Sequence, residues 1–203
     1  MMDFNELSEL QLDALREIGN IGAGNAATAL SQLIQRKIDM EVPRVKVLPI
    51  KDIPDAVGGP ELLVAGVYLR VESTAPSNIL FVLPVANAKK IVNSLMGKEF
   101  DADIDDMGHS ALMEIGNILA GSYLNALAMF TSLSFMPSVP SLSIDMAGAI
   151  LSEVIINLGE VADYALIIET KFKEDETDVS GYFFLLPEPQ SLQTILATLG
   201  VSS

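Results

Sequence analysis

The 203-residue sequence contains no cysteine, no tryptophan and a single histidine, His109. The absence of cysteine excludes disulfide bonds, thiolate metal ligands and thiol nucleophiles, and it is typical of cytosolic proteins. Without cysteine or a second histidine, a metal site is not expected. No apolar run approaches the roughly 18 residues of a membrane span. The opening segment MMDFNELSEL is acidic and lacks the features of a signal peptide. We therefore expect a cytoplasmic protein without membrane insertion.

Positive charge is also scarce, because 12 lysines and arginines stand against 27 aspartates and glutamates, giving a net charge of −15. Such a chain repels phosphate backbones and anionic lipids, so nucleic acid and membrane surfaces are not expected as partners. Half of the residues are hydrophobic. A chain of this length and composition can bury a large core, so we expect a folded protein of one domain over residues 1–203.

The chain carries an internal repeat. Glu-Ile-Gly-Asn occurs at residues 17–20 and again at 114–117, and this offset of 97 also aligns Pro43 with Pro140 and most residues between 14 and 30. Later, residues 79–97 resemble residues 182–200. Each of these segments has a strand-like run, a proline and an amphipathic helix closed by Gly97 or Gly200. The sequence therefore predicts two repeats, at about 6–100 and 104–203, joined near 97–108.

Each repeat has the same predicted order of elements. A long helix shows apolar residues at helical spacing, an extended segment surrounds the proline, and two strands follow. The predicted long helices are 6–35 and 104–131, the strands are 61–72, 78–84, 164–173 and 181–187, and an additional helix is 145–159. This order predicts an α+β fold with pseudo-twofold symmetry, in which helices cover an antiparallel sheet. Because paired halves can replace a dimer within one chain, we expect a monomer.

Polar side chains repeat along both long helices. Residues spaced by three and four lie on one helical face, so each helix carries one stripe. The two stripes are Asp13, Glu17, Asn20 and Gly24, and Ser110, Glu114, Asn117 and Gly121. A single copy would be read as a solvated polar face. Two copies in register favour a functional site instead.

The pairing of glutamate with asparagine restricts the chemistry of such a site. An amide does not take up a proton at ordinary pH, so the pair does not match two carboxylates that divide acid and base roles. Asparagine can hold a water molecule and a partly charged oxygen at once, and glutamate can bind a lysine or arginine. The pair therefore indicates positioning chemistry, with the electrophile supplied by a partner.

The glycines within these helices allow two interpretations. Glycine in a helix interior costs roughly 1 kcal/mol relative to alanine. Gly19, Gly22, Gly24, Gly116 and Gly121 either leave clearance for a partner or allow tight packing of the helices. GAGNAA at 22–27 matches a dinucleotide-binding fingerprint, but a helical segment precedes it where that fingerprint needs a strand. No G-x-S-x-G hydrolase motif is present.

The doubled motif resembles that of a known family. The pattern [Asp/Ser]-x-x-x-Glu-x-x-Asn, followed by proline after 22 intervening residues, occurs as Asp13-Glu17-Asn20-Pro43 and as Ser110-Glu114-Asn117-Pro140. It resembles the CheC family of chemotaxis phosphatases, and the resemblance spans essentially the whole chain. The related CheX proteins carry one working copy, and phosphatases of the FliY type add a C-terminal domain for which this chain has no room.

The resemblance implies an enzyme that hydrolyses the aspartyl phosphate of the response regulator CheY. Glu17 and Glu114 would pair with a lysine of the regulator, and Asn20 and Asn117 would align the attacking water. The regulator would bring the phosphoaspartate and its Mg²⁺, so no cofactor is expected on this chain. Supporting positions are Asp13, Ser110, Pro43 and Pro140. Because Asp13 and Ser110 differ, we expect two competent but unequal sites.

The resemblance also implies a second partner, the receptor deamidase CheD. It would bind the segment SIDMAGAILSE, and the expected contacts are Asp145, Met146, Ala147, Ala149 and Ile150. The alternative for this segment is an ordinary packing helix. Two alternatives to the phosphatase also stay open at this point. One is a binding module that sequesters phosphorylated CheY or regulates CheD, and the other is a duplicated domain with a purely structural role.

Overall fold

A computed structural model describes residues 7–97, 104–158, 164–174, 177–188 and 190–200. Residues 98–103, within the predicted junction between the repeats, lie outside the described residues, as do residues 175–176. The helices are α1 (Glu9–Ile34), α2 (Ile53–Val57), α3 (Val85–Met96), α4 (Asp106–Thr131), α5 (Ala147–Leu158) and α6 (Ser191–Thr198). The strands are β1 (Asp39–Pro49), β2 (Leu63–Ser73), β3 (Ser77–Pro84), β4 (Phe135–Pro137), β5 (Ser141–Met146), β6 (Tyr164–Glu174) and β7 (Thr177–Pro187).

The strands form one antiparallel sheet in the order β1-β6-β7-β3-β2-β4, and β5 also pairs with β2. The hairpins β2-β3 and β6-β7 meet at the centre, where β3 pairs with β7. Strand β1 flanks one hairpin, while β4 and β5 flank the other. The predicted α+β fold with two equivalent halves is confirmed.

The two repeats match in the detail of their strand pairing. In β1 the register shifts by one residue between Glu41 and Arg44, across Pro43. In the second half, pairing with β2 breaks between Pro137 and Ser141, across Pro140, and again one extra residue is accommodated. Proline cannot donate a hydrogen bond to the ladder, so an irregularity of this kind is where a strand tolerates it.

The sheet is covered on both faces. On one face α1, α3, α4 and α6 pack over a cluster that includes Leu15, Leu112 and Phe183. On the other face α2 and α5 pack over a second cluster that includes Ile53, Ile150 and Phe184. The central strand β3 is buried from Ser77 to Leu83 because helices cover it on both sides. Of the described helices, none is long and apolar enough to cross a bilayer.

The two long helices begin and end with local signals. The Ser8 hydroxyl accepts from the backbone N–H of Gln11, whose side chain accepts from the N–H of Ser8, so α1 opens with a capping box. Asp105 caps α4 by accepting from the N–H of Gly108 at 2.8 Å. The predicted ends of α3 and α6 are also confirmed, since Gly97 and Gly200 adopt φ of 60° and 71°.

One prediction about the second half needs correction. The helix predicted for 145–159 begins at Ala147, because Asp145 and Met146 belong to the edge strand β5. The first helical N–H groups, of Ala147 and Gly148, donate to the carbonyls of Leu62 and Pro60. The weak counterpart of this helix in the first half is α2, which has only five residues.

Candidate functional site

The two predicted stripes lie on the exposed side of α1 and α4. Glu17 and Asn20 are exposed on α1, and Glu114 and Asn117 are exposed on α4. Intervening apolar residues such as Ile18 and Ile115 are buried in the core below. The helical periodicity thus turns the core residues inward and presents each Glu-Asn pair to solvent.

These four side chains have no bonding partner within the part of the chain that the structure describes. Among the residues that the structure describes, none forms a hydrogen bond or an ion pair with the side chains of Glu17, Asn20, Glu114 or Asn117. A carboxylate and an amide that are exposed and unpartnered keep their full bonding capacity for another molecule.

The supporting positions differ between the copies. The Asp13 carboxylate pairs with the Arg16 guanidinium at 2.9 Å, and both side chains are more than half exposed. At the equivalent position Ser110 donates to the backbone carbonyl of Asp106, one turn earlier in its own helix. Pro43 and Pro140 lie at the matched irregularities beside the helices. The first site therefore carries an additional ion pair that the second lacks.

The structure separates the two interpretations of the glycines. A methyl group at Gly116 would lie 2.5 Å from Val67 Cγ1, and one at Gly22 would lie 3.0 Å from the Tyr123 Cα, so both are required for packing. A methyl group at Gly19 would make ordinary contacts, at 3.5 Å or more. At Gly24 and Gly121 it would meet nothing within 4 Å. Of these glycines, only Gly24 and Gly121 therefore leave clearance for a partner.

Tyr123 lies beneath the site, and sequence reasoning missed it; the one available signal was that the first repeat has Ala26 at the equivalent position. Its ring packs on Gly22 of α1, at the crossing of the two long helices, and its hydroxyl lies 3.3 Å from the Thr170 hydroxyl. Burial raises the pKa of Tyr123 to about 12, so the group stays neutral in ordinary conditions. The contact fixes the two helices that carry the Glu-Asn pairs.

The residues expected to contact CheD do not lie together on the surface. Asp145, Met146 and Ala149 are exposed where β5 meets α5. Ala147 and Ile150 are each only 5% exposed, in the cluster between α5 and the sheet. Those two residues are core residues in this fold, so a partner could reach only the first three.

Comparison with known proteins identifies the family. A model of the CheC-like family matches residues 10–47 and 107–144, the segments that carry the two motifs. The CheY-P phosphatase CheC of Bacillus subtilis is 42% identical over 209 aligned residues, which cover 100% of both chains. The chain belongs to the CheC-like family.

Solved structures share the fold of this CheC-like protein. FliY of Thermotoga maritima matches with a TM-score of 0.74 at 20% identity, over 97% of this chain and 99% of that chain. A complex of CheX and CheY with BeF3 and Mg²⁺ from Borrelia burgdorferi contains a chain that matches with a TM-score of 0.50 at 18% identity. That match covers 82% of this chain and 96% of the other. At these identities the similarity concerns the fold alone.

Proposed function

We propose that this protein is a phosphatase that hydrolyses the aspartyl phosphate of the response regulator CheY. The observation that carries the proposal is the pair of exposed, unengaged Glu-Asn constellations, Glu17 with Asn20 and Glu114 with Asn117, at equivalent positions of two repeats. Full-length similarity to a protein named CheY-P phosphatase supports the choice of substrate.

In the proposed reaction, water attacks the phosphorus of the phosphoaspartate. The bond from phosphorus to the aspartate oxygen breaks, inorganic phosphate leaves, and the regulator regains its carboxylate. The Asn20 or Asn117 amide accepts a hydrogen bond from the water and so holds its oxygen in line with the scissile bond. The regulator supplies the Mg²⁺ that neutralises charge on the phosphoryl oxygens, so this chain contributes orientation.

Glu17 and Glu114 have a different proposed role. Each lies one helical turn before its asparagine and binds a lysine of the regulator. That ion pair fixes the depth and angle at which the helix meets the phosphorylated site. Gly24 and Gly121, one turn beyond the asparagines, have no atom within 4 Å of the position of an added methyl group. They leave room for the regulator's backbone at the far end of each stripe.

The two sites are proposed to work independently and unequally. Asn20→Ala should not change the activity of the second site, and Asn117→Ala should not change that of the first, because each helix carries its own Glu-Asn pair. We expect both variants to retain hydrolysis, with unequal kcat/KM values that together approach the wild-type value. Steady-state release of phosphate from phosphorylated CheY measures both. No residual activity in Asn20→Ala would show that the second site is not competent, and no residual activity in Asn117→Ala would show the same for the first site.

We also propose a contact with the deamidase CheD through Asp145, Met146 and Ala149, the exposed members of the expected set. Asp145→Lys should weaken CheD binding at least about tenfold in a titration calorimetry experiment, because it reverses a charge in the contact. Asp145 also accepts from the backbone N–H of Met146, so Asp145→Asn controls for that hydrogen bond. Glu72→Lys, a charge reversal at an exposed residue of β2 outside the segment 143–153, is the matched control. Equal affinity for Asp145→Lys and Glu72→Lys would remove Asp145 from the contact.

A further inference from the structure

The two repeats differ sharply in charge around otherwise equivalent sites. The segment 10–47 contains five of the chain's lysines and arginines, whereas the segment 107–144 contains none. The five cations are Arg16, Arg36, Lys37, Arg44 and Lys46. The segment 10–47 also contains four carboxylates, so its formal charge is 5 − 4 = +1, against 0 − 1 = −1 for the segment 107–144, in a chain whose net charge is −15.

Three of these cations line one cleft. Arg16 from α1 and Arg44 and Lys46 from β1 border a cleft of about 310 Å³, together with Glu9 and Asp13. Asp13 lies one helical turn before Glu17, so the cleft adjoins the first site. The equivalent positions of the second repeat hold Met113, Ser141 and Ser143, as the aligned irregularities of the strands show.

The cations of the cleft are held loosely by the protein. The side chains of Arg16 and Lys46 are 53% and 54% exposed, and Lys46 is 3.8 Å from the Glu169 carboxylate. Arg44 is exposed and forms no ion pair with any residue that the structure describes. Exposed ion pairs contribute about 0–1 kcal/mol, so carboxylates of a partner can replace the internal ones at little cost.

We propose that the first site docks the phosphorylated regulator through an ionic contact of Arg16, Arg44 and Lys46 with acidic groups of the partner, and that the second site lacks this contact. The inference rests on the proposed function and adds a division between the two sites. The partner fits by charge, because a phosphorylated aspartate beside Mg²⁺-binding carboxylates is a strongly acidic surface. Near the end of α4 the second repeat exposes Met129, at 71%, where the first repeat has Gln32.

The expected signature is a difference in salt dependence between the sites. Salt at about 1 M shortens the Debye length to about 3 Å, from about 10 Å at 0.1 M, and weakens exposed ionic contacts. The overall negative charge of the chain changes kcat/KM at both sites by the same factor. Its effect therefore cancels in the ratio of first-site to second-site kcat/KM. That ratio should fall as the salt concentration rises.

The test uses single-site proteins. Asn117→Ala leaves only the first site active in hydrolysis, and Asn20→Ala leaves only the second site active. In each background Arg44→Ser with Lys46→Ser installs the residues that the second repeat has at these positions. We expect first-site kcat/KM for phosphorylated CheY to fall about fivefold at 0.1 M salt and less than about twofold at 1 M, with second-site activity unchanged. The control is Lys51→Ser with Lys90→Ser, which removes two exposed cations that do not line the cleft.

A second variant tests the inference in the opposite direction, by adding cations to the second repeat. Ser141→Arg with Ser143→Lys in the Asn20→Ala background should give the second site a salt dependence that it lacked. An Arg44→Ser/Lys46→Ser effect equal to that of the control, or equal in both backgrounds, would overturn the inference. If no protein turns over CheY, the proposed function fails, and the same proteins are titrated with CheY carrying Mg²⁺ and beryllofluoride. Weaker binding of Arg44→Ser/Lys46→Ser at 0.1 M salt would then sustain the ionic contact, and an unchanged Kd would overturn it.

Discussion

Replacing both Asn20 and Asn117 by alanine should lower the turnover of phosphorylated CheY by at least about 100-fold. Loss of one preorganised polar contact to a transition state costs about 2.7–4 kcal/mol, which is a factor of about 100 to 1,000 in kcat. Both asparagines must be replaced, because either intact repeat is expected to keep its own activity. Binding should change far less, since the glutamates and the surrounding surface remain.

The matched control for this variant is Asn25→Ala with Ser122→Ala. These two residues occupy equivalent positions of the repeats, outside the stripes of Glu17 and Glu114. The control therefore truncates one polar side chain on each of the same two helices. Affinity for CheY loaded with Mg²⁺ and beryllofluoride separates recognition from chemistry. If the test variant retained turnover within about threefold of the wild type, the proposed role of the amides would be lost.

Gly116→Ala should lower the free energy of unfolding by about 1–3 kcal/mol, because the added methyl group overlaps Val67 and forces α4 away from β2. The gain in helix propensity, about 1 kcal/mol, is included in that range and offsets part of the strain. Denaturant unfolding followed by circular dichroism measures the change.

Gly121→Ala is the matched control on the same helix. Its methyl group would meet nothing within 4 Å, so the propensity term acts alone and should raise the free energy of unfolding by up to about 1 kcal/mol. Opposite signs for the two variants are therefore expected. If Gly116→Ala were as stable as Gly121→Ala, the close approach of α4 to β2 would not exist.

The sequence was most informative where one pattern extended over many residues. The repeated Glu-Ile-Gly-Asn, the apolar spacing of both long helices and the aligned prolines predicted the two halves, the α+β architecture and the exposed stripes. These features depend on many residues at once, so an error at one position does not change the outcome. Helix ends marked by Gly97 and Gly200 were predictable for the same physical reason, a left-handed backbone that favours glycine.

Side-chain direction in the strands was less predictable. Aligning the repeats by Pro84 and Pro187 matches Ile79 with Tyr182, yet Ile79 packs in the cluster under α1 and α4, and Tyr182 packs against the cluster on the other face. A shift of one residue sends a strand's side chains to the opposite face. Pattern matching across a short apolar run cannot detect such a shift, because both faces of these central strands are buried.

Identical residues in the repeat can also have different surroundings. Gly19 and Gly116 occupy equivalent positions, but only Gly116 is closed off by a side chain of the sheet. Ala147 and Ile150 were expected to contact a partner and are buried instead, because the partner-facing and core-facing sides of a short apolar helix look alike in sequence. The three-dimensional packing decides both cases.

A catalyst and a sink for phosphorylated CheY differ in whether one protein molecule processes many molecules of the regulator. The decay of phosphorylated CheY, with the wild-type protein present at about one-tenth of its concentration, separates the two. We expect accelerated decay to completion, with each protein molecule releasing many phosphates. Acceleration that stopped after one equivalent, or unchanged decay despite measurable binding, would contradict it and would identify a module that only sequesters the regulator.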